Sequence, residues 1–512
     1  MRVIKRLLVI WLVGLVHAKN VLILLGDDVG FQFGAYGNTK IKSPNVDALA
    51  QRSLLFQNGF TSVSSCSPSR SVVMSGLPVH QNGMYGLHGG FMHFQSFDGV
   101  RSMPMILNQH NIRTGIVGKK HVGPDSVYKF DYEVTEEHYD LNQVGRNITC
   151  MKEYIRKFLQ GSKNDSRPFL LYIGIHDIHR CTPYIGGKLG NFCDKFGDGT
   201  TPGTGYIKDW KPIVYRPEDV EVPYFLPDTP ATREDLAAMY KTYSRFDQGV
   251  GLFMQELEDA GFADDTLVIF TSDNGIPFPF AKTNLYDPGQ GEPFMISSPY
   301  HKETWGKKTD AMASTMDIVP TVLDWFDIKY PSYKMNGKKV ALTGKSLLNA
   351  LKPQVPVGQF DQIFSSHVFH EVTMYYPMRV VRTKNTKLIH NINFRAPYGL
   401  ATDLYQNPTF LDILNKTKSG QPTKWFTTLQ KYYYRDEWQL FNLTSDPHEQ
   451  ANLAGSKEYK TVFQNMKKTL KQWQLDTNDP WRCLPDSELE GDGACYDMDN
   501  RKQPEMSIHV LR

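Results

Sequence analysis

Four apolar runs, each ending abruptly in polar or charged residues, constrain this chain more than any other feature. Residues 21–25 (Val-Leu-Ile-Leu-Leu) lead into Gly26-Asp27-Asp28, and residues 114–117 into Gly118-Lys119-Lys120-His121. Residues 169–175 lead into His176-Asp177-Ile178-His179, and residues 266–270 into Thr271-Ser272-Asp273-Asn274-Gly275. Continuous apolar runs mark strands buried on both faces of a parallel sheet. Functional groups of such sheets gather outside the carboxyl ends of the strands. A solvated turn explains one such end; four independent ends argue for chemistry. The expected fold class is α/β, with a large, mixed, mostly parallel sheet flanked by helices.

Helices fit between these strands. Ser43-Pro44 starts one through Val46, Leu49, Ala50 and Leu54. Thr232 with Asp235 opens a longer one, whose stripe of Leu236, Met239, Tyr240, Tyr243, Phe246, Val250, Phe253 and Leu257 reads as core and which Gly261 ends. Residues 181–224 are rich in Gly and Pro and read as irregular loops. The pattern breaks again at residues 352–362, so the expected units are 19–357, catalytic, and 358–512, a smaller α+β domain with an antiparallel sheet. In the second unit, residues 378–381 and 387–393 read as strands, Asp446-Pro447 as a turn, and residues 458–475 as a helix.

Residues 1–18 read as a signal peptide: Arg2, Lys5 and Arg6 precede the short apolar core 7–16, and Val16-His17-Ala18 fits a cleavage site. Without that segment, which holds three of the 57 basic residues, basic and acidic residues balance at 54 each, which argues against nucleic-acid binding. No later stretch is apolar enough for a membrane anchor. Six cysteines in an exported chain suggest disulfides, with Cys181/Cys193 and Cys483/Cys495 as local pairs, Cys66 left for chemistry and Cys150 free. Sequons at Asn147, Asn164, Asn415 and Asn442 suggest a glycosylated surface.

Cys66 lies in Ser65-Cys66-Ser67-Pro68-Ser69-Arg70. Ser67 as N-cap and Pro68 at the first helical position predict a helix over 68–74, with Cys66 just outside its N-terminus. That end favours an anion, and Arg70 adds a planar charge. A buried structural cysteine is the bland alternative, but C-x-P-S-R followed by Ser75-Gly76 is far more specific. Asp27, Asp28, Asp273 and Asn274 offer hard oxygen ligands from two strand ends, which suit Ca²⁺ or Mg²⁺. Lys119, His121, His179, Arg70 and Lys282 offer positive charge and proton transfer; His176 reads as the weaker histidine and Lys120 as exposed.

The Cys66 motif resembles the signature of the sulfatase family, with Met74-Ser75-Gly76 in place of the usual Leu-Thr-Gly. The resemblance extends through Gly118-Lys119-Lys120-His121, the stretch from Phe270 to Pro279, and His370-Glu371-Val372-Thr373-Met374, nearly the whole chain. It implies an alkaline phosphatase-like fold and conversion of Cys66 to formylglycine by a formylglycine-generating enzyme. It implies one Ca²⁺ held by Asp27, Asp28, Asp273, Asn274 and residue 66. It is strongest to members that hydrolyse glucosamine N-sulfate at heparan sulfate ends in the lysosome, so heparan sulfate-derived oligosaccharides are the expected partners; a homodimer is left open. Where a relative has arginine, this chain has Lys282, which keeps the charge but loses the bidentate fork. The implied mechanism is attack on sulfur by a hydrated aldehyde, protonation of the leaving amine by His179, and sulfate release with His121 as base. The alternatives are an O-sulfatase for another glycosaminoglycan end, a phosphatase or phosphodiesterase of the alkaline phosphatase superfamily, and a sugar-binding glycoprotein without turnover.

Overall fold

The strand β1 (Asn20–Gly26) is buried along its whole length, as its unbroken apolar sequence requires. It lies in an eight-stranded sheet with β2 (Leu54–Phe60), β3 (Arg113–Gly118), β4 (Tyr132–Thr135), β5 (Phe169–Ile175), β6 (Thr266–Ser272), β7 (Phe294–Ser297) and β8 (Lys308–Ser314), in the order β4-β3-β5-β1-β6-β7-β2-β8. Only β7 runs antiparallel to its neighbours β6 and β2; the other pairs are parallel. The structure is a computed structural model and describes residues 19–181, 188–356, 358–491 and 493–497. The expected signal peptide, residues 1–18, lies outside them. Among the described residues no helix is long and apolar enough to cross a membrane.

The four apolar runs form the adjacent strands β3-β5-β1-β6. Alternate side chains of β1 enter two cores. Leu22 and Leu24 pack with the helices Ile148–Lys163 and Pro230–Asp259. Val21, Ile23 and Leu25 pack with the helices Cys66–Ser75 and Ile318–Trp325. Register aligns the carboxyl ends: Gly26 pairs with both Ile175 and Ser272, and Gly118 with Gly174. Gly118 has φ +99°, and a Cβ there would meet the Gly174 carbonyl oxygen at 2.0 Å, so only glycine fits this strand exit.

Three helix boundaries differ from the sequence reading. The first helix is Pro44–Gln51, and Leu54 opens β2 instead. The long helix starts at Pro230, because Thr229 and not Thr232 accepts the capping hydrogen bond. The motif helix starts at Cys66: the Ser69 N–H donates to the Ser65 carbonyl at 2.8 Å, closing a turn two residues early. Pro68 fits there because first-turn N–H groups have no intrahelical partner.

After a small hairpin, β9 (Lys334–Met335) and β10 (Lys338–Lys339), come the strands β11 (Gln362–His367), β12 (Met378–Thr383), β13 (Thr386–Asn391) and β14 (Trp438–Asn442), which form an antiparallel sheet in that order. This sheet and the helix Lys460–Asp476 share a core with Val72 of the motif helix, through Val381, Leu388, Leu440, Leu470 and Trp473. Disulfides join Cys181 to Cys193 and Cys483 to Cys495, while Cys66 and Cys150 are free. Of the sequon asparagines, Asn164 and Asn415 are exposed; Asn147 and Asn442 are half-buried.

Candidate active site

The strand ends converge on one buried cluster. Asp27, Asp28, Cys66, Arg70, Lys119, Asp273, Asn274 and Lys282 are all buried. Asp28 (φ +61°), His121 (φ +54°) and Thr283 (φ +72°) hold left-handed backbone, a costly state for non-glycine residues that concentrates at functional sites. Each carboxylate faces a cation. Lys119 Nζ lies 2.5 Å from Asp27 Oδ2, Lys282 Nζ 2.8 Å from Asp28 Oδ2, and Arg70 donates to Asp273 Oδ2 through Nε at 2.9 Å, with its Nη2 in ion-pair contact at 2.8 Å. Arg70 also donates to the Lys119 carbonyl at 2.8 Å, which ties the motif helix to the end of β3.

Cys66 Sγ is 4.0 Å from Asp28 Oδ1. Burial pushes its thiol well above its ordinary value, although Lys119 and Lys282 pull the other way. A thiol held neutral is a poor nucleophile, so the cysteine as encoded does not account for the surrounding charge. Burial and then Asp27 raise Asp273 to about 7. Asp27 stays well below the carboxylate range despite burial, because Lys119, His179 and Arg70 surround it.

The cluster fits a hard divalent ion. Asp27 Oδ1 and Asn274 Oδ1 are buried with no hydrogen-bond partner. Asp27, Asp28 and Cys66 bring ligand atoms within 4.8 Å of one another. The oxygens of Asp27, Asp28, Asp273 and Asn274, with lone pairs left unsatisfied, are the donors such cations take, and the Cys66 sulfur as encoded is the one soft atom among them. The carboxylates of Asp27, Asp28 and Asp273 are balanced by Lys119, Lys282 and Arg70, so a divalent ion leaves net positive charge, which suits an anionic substrate.

Two histidines border the cluster. His179 donates from Nδ1 to the Arg180 carbonyl at 2.8 Å, so its Nε2 faces the site, 3.9 Å from Asp28 Oδ2 and from Asp403 Oδ2. Burial and then Lys282 lower it to about 4. Burial, Lys119 and Arg70 hold His121 well below the ordinary histidine value.

The structure brings together Asp27, Asp28, Cys66, Arg70, Lys119, His179, Asp273, Asn274 and Lys282, while His121 feels the Lys119 and Arg70 charges and its backbone N–H donates to Glu137 at 2.6 Å. It corrects one neighbour: Lys120 is buried, turned onto Asp125 at 2.8 Å and Glu133 at 3.2 Å. Sequence reasoning set His176 aside as the weaker histidine and missed two further groups, His370 and Asp403. His176 Nδ1 bonds Glu136 at 2.7 Å, while its Nε2 points to Asp27. His370 Nδ1 bonds Ser65 Oγ, the N-cap of the motif helix, at 2.8 Å. Asp403 reaches Lys282 from the C-terminal unit at 3.3 Å. Their pairing runs across long sequence separations, which no local pattern signals.

The chain belongs to the sulfatase family: the family model matches residues 19–328, a span that contains Cys66, Asp27, Asp28 and Asp273. It is 54% identical to N-sulphoglucosamine sulphohydrolase of Homo sapiens over 92% of this chain and 93% of that protein. Iduronate 2-sulfatase of Homo sapiens is 27% identical, over 50% of this chain and 55% of that protein. A solved structure in complex with its substrate D-glucosamine-2-N,6-O-disulfate has a TM-score of 0.61 at 17% identity, covering 90% of this chain and 98% of its own. Phosphonate monoester hydrolase of Agrobacterium radiobacter has a TM-score of 0.60 at 17% identity, covering 95% of this chain and 100% of its own. At such identity the structural likeness shows the fold alone, and the neighbours differ in chemistry.

Proposed function

We propose that this chain removes the sulfo group from the nitrogen of glucosamine N-sulfate at the ends of heparan sulfate-derived oligosaccharides. The observation that carries the reading is the buried Cys66 cluster in a chain 54% identical, nearly end to end, to N-sulphoglucosamine sulphohydrolase. In this reading Asp27, Asp28, Asp273 and Asn274, with an oxygen on residue 66, hold the ion, and their hard donors favour Ca²⁺. When present, the ion supplies a Lewis acid, and formylglycine made from Cys66 supplies a hydrated carbonyl whose hydroxyl is the nucleophile. Arg70, Lys119 and Lys282 hold the sulfo group and take up charge growing on its oxygens. His179 delivers a proton from Nε2 to the leaving nitrogen, and His121, kept neutral, accepts one during sulfate release.

The same reading makes residues 19–357 the catalytic unit and 358–512 the smaller one. It places the work in the lysosome, after export, maturation by a formylglycine-generating enzyme and glycosylation at Asn147, Asn164, Asn415 and Asn442. The deciding experiment uses protein made in eukaryotic cells and compares glucosamine N-sulfate, N-acetylglucosamine 6-sulfate and an iduronate 2-sulfate at acidic pH. Sulfate is expected from the first. Release mainly from either O-sulfated sugar overturns the substrate assignment. Peptide mass spectrometry is expected to find an aldehyde at residue 66; an active preparation carrying only the thiol overturns the nucleophile.

A further inference from the structure

The loop and short helix around Asp403 (Thr402–Tyr405) lie outside the family-matched segment, yet they reach the site. Asp403 Oδ1 accepts the Leu404 N–H at 2.8 Å, which fixes the carboxylate. That leaves Oδ2 aimed inward, 3.3 Å from Lys282 Nζ and 3.9 Å from His179 Nε2, with the side chain 13% exposed. Asp28 also faces Nε2, but it belongs to the proposed donor set for the ion. Asp403 is therefore the carboxylate left to answer charge that develops next to Nε2. Burial works against its charge, but Lys282 and His179 overcome this and hold the carboxyl well below the usual carboxylate range.

The charge that develops there depends on the bond being broken. For an N-sulfate the overall change is R–NH–SO₃⁻ + H₂O → R–NH₃⁺ + SO₄²⁻. An oxygen–sulfur bond forms, the nitrogen–sulfur bond breaks with its electron pair left on nitrogen, and nitrogen ends cationic with two added protons. For an O-sulfate it is R–O–SO₃⁻ + H₂O → R–OH + SO₄²⁻ + H⁺, and the leaving oxygen ends neutral. A carboxylate beside the proton donor thus favours the first reaction over the second, because only the amine becomes positive. A leaving nitrogen within hydrogen-bond reach of Nε2 sits close enough to Asp403 Oδ2 for this interaction.

We propose that Asp403 is the residue that suits this site to an amine leaving group, as a specificity-determining carboxylate that stabilises the cation formed at the departing nitrogen. The proposal rests on the N-sulfate reading above. Asp403→Asn keeps the shape and removes the charge. In that variant kcat/KM on glucosamine N-sulfate is expected to fall about tenfold or more, while that on an aryl O-sulfate stays within about twofold. Competitive inhibition by the product glucosamine is expected to weaken by about the same factor, and inhibition by N-acetylglucosamine to stay unchanged. Equal losses on both substrates, or unchanged glucosamine inhibition, overturn the proposal and leave the N-sulfate reading standing. A wild-type protein that is active only on O-sulfates overturns both. If Asp403→Asn does not fold, Asp403→Glu decides, since it keeps the carboxylate: retained kcat/KM preference for the N-sulfate over the aryl O-sulfate, with glucosamine inhibition kept, supports the proposal, and loss of that preference while the carboxylate is kept overturns it.

Discussion

Asp273 combines its proposed place in the donor set with a part in the fold, through one carboxylate. Its Oδ1 accepts the Asp28 N–H at 3.0 Å, and its Oδ2 carries Arg70, which is fully buried. The strand end Ser272-Asp273-Asn274 marks it in the sequence as a candidate donor, but the Arg70 pairing spans 203 residues and has no local signal. Asp273→Ala therefore takes the main partner from a buried arginine and leaves it only the longer Asp27 contact at 3.5 Å, at a cost of about 3 kcal/mol. It is expected to lower both activity, by orders of magnitude, and melting temperature. Asn274→Ala removes an Oδ1 that has no protein partner and an Nδ2 that donates to Asp28 at 2.6 Å, but strips no buried cation of its main partner, and is expected to lower activity with a smaller thermal shift. Calorimetry and turnover on both variants test the contrast; equal melting temperatures would refute it. His179 gives the pH dependence its sign. Its value of about 4 means that the proton-donating form gains about tenfold per unit as the pH falls from 7 towards 4. kcat/KM on the N-sulfate is expected to rise over that range, and His179→Ala to lose the rise. Stability moves the other way for this group: the unfolded chain takes up the proton from about 6.5, so its contribution shrinks as the pH falls. A pH–rate profile of both proteins checks the first sign and chemical denaturation at two pH values the second.

The helix Cys66–Ser75 shows how far an element can be read from sequence. Its existence, its anion-favouring start and its Gly76 end are written in local residue types. Its first residue is not, because Ser65 and Ser67 are equally good caps and the choice falls to tertiary contacts. Ser65 Oγ bonds His370, and Ser67 Oγ instead accepts the His88 N–H at 2.9 Å. The central strands were legible for a different reason: burial on both faces leaves no polar position to confuse the pattern. At the other end of the helix, Gly76 has φ +69°, and a Cβ there would lie 2.7 Å from Leu342 Cδ2 and 3.0 Å from Val319 Cβ. Gly76→Val combines backbone strain with this crowding and is expected to cost about 2–3 kcal/mol. The expected result is a lower melting temperature and yield, with KM of the surviving protein unchanged, since no site side chain is touched. An unchanged melting curve would show that the helix end yields freely.

At the scale of the whole molecule, the two sheets interlock beside the site. The Ser366 N–H donates to the Ser62 carbonyl, and the Leu87 N–H to the His370 carbonyl, each at 2.9 Å. Arg382 and Lys387 reach Asp287 at 2.6 and 2.9 Å, Arg435 reaches Asn284 at 2.6 Å, and Asp403 reaches Lys282. Val72 of the motif helix is buried against the C-terminal sheet and its helix. None of these contacts has a sequence signature, because each pairs residues whose local patterns are complete without the other. Removing residues 358–512 uncovers that apolar face and leaves Lys282 and Asp287 short of partners in a protein interior, where unpaired charge is costly. A chain of residues 19–357 is therefore expected to aggregate or to lack activity. In the full chain, urea unfolding followed by activity, tryptophan fluorescence and far-ultraviolet circular dichroism is expected to give coincident transitions. Two separated transitions, with activity tracking only the first sheet, would show instead that the C-terminal unit is an independent body and that its contacts beside Cys66 contribute little.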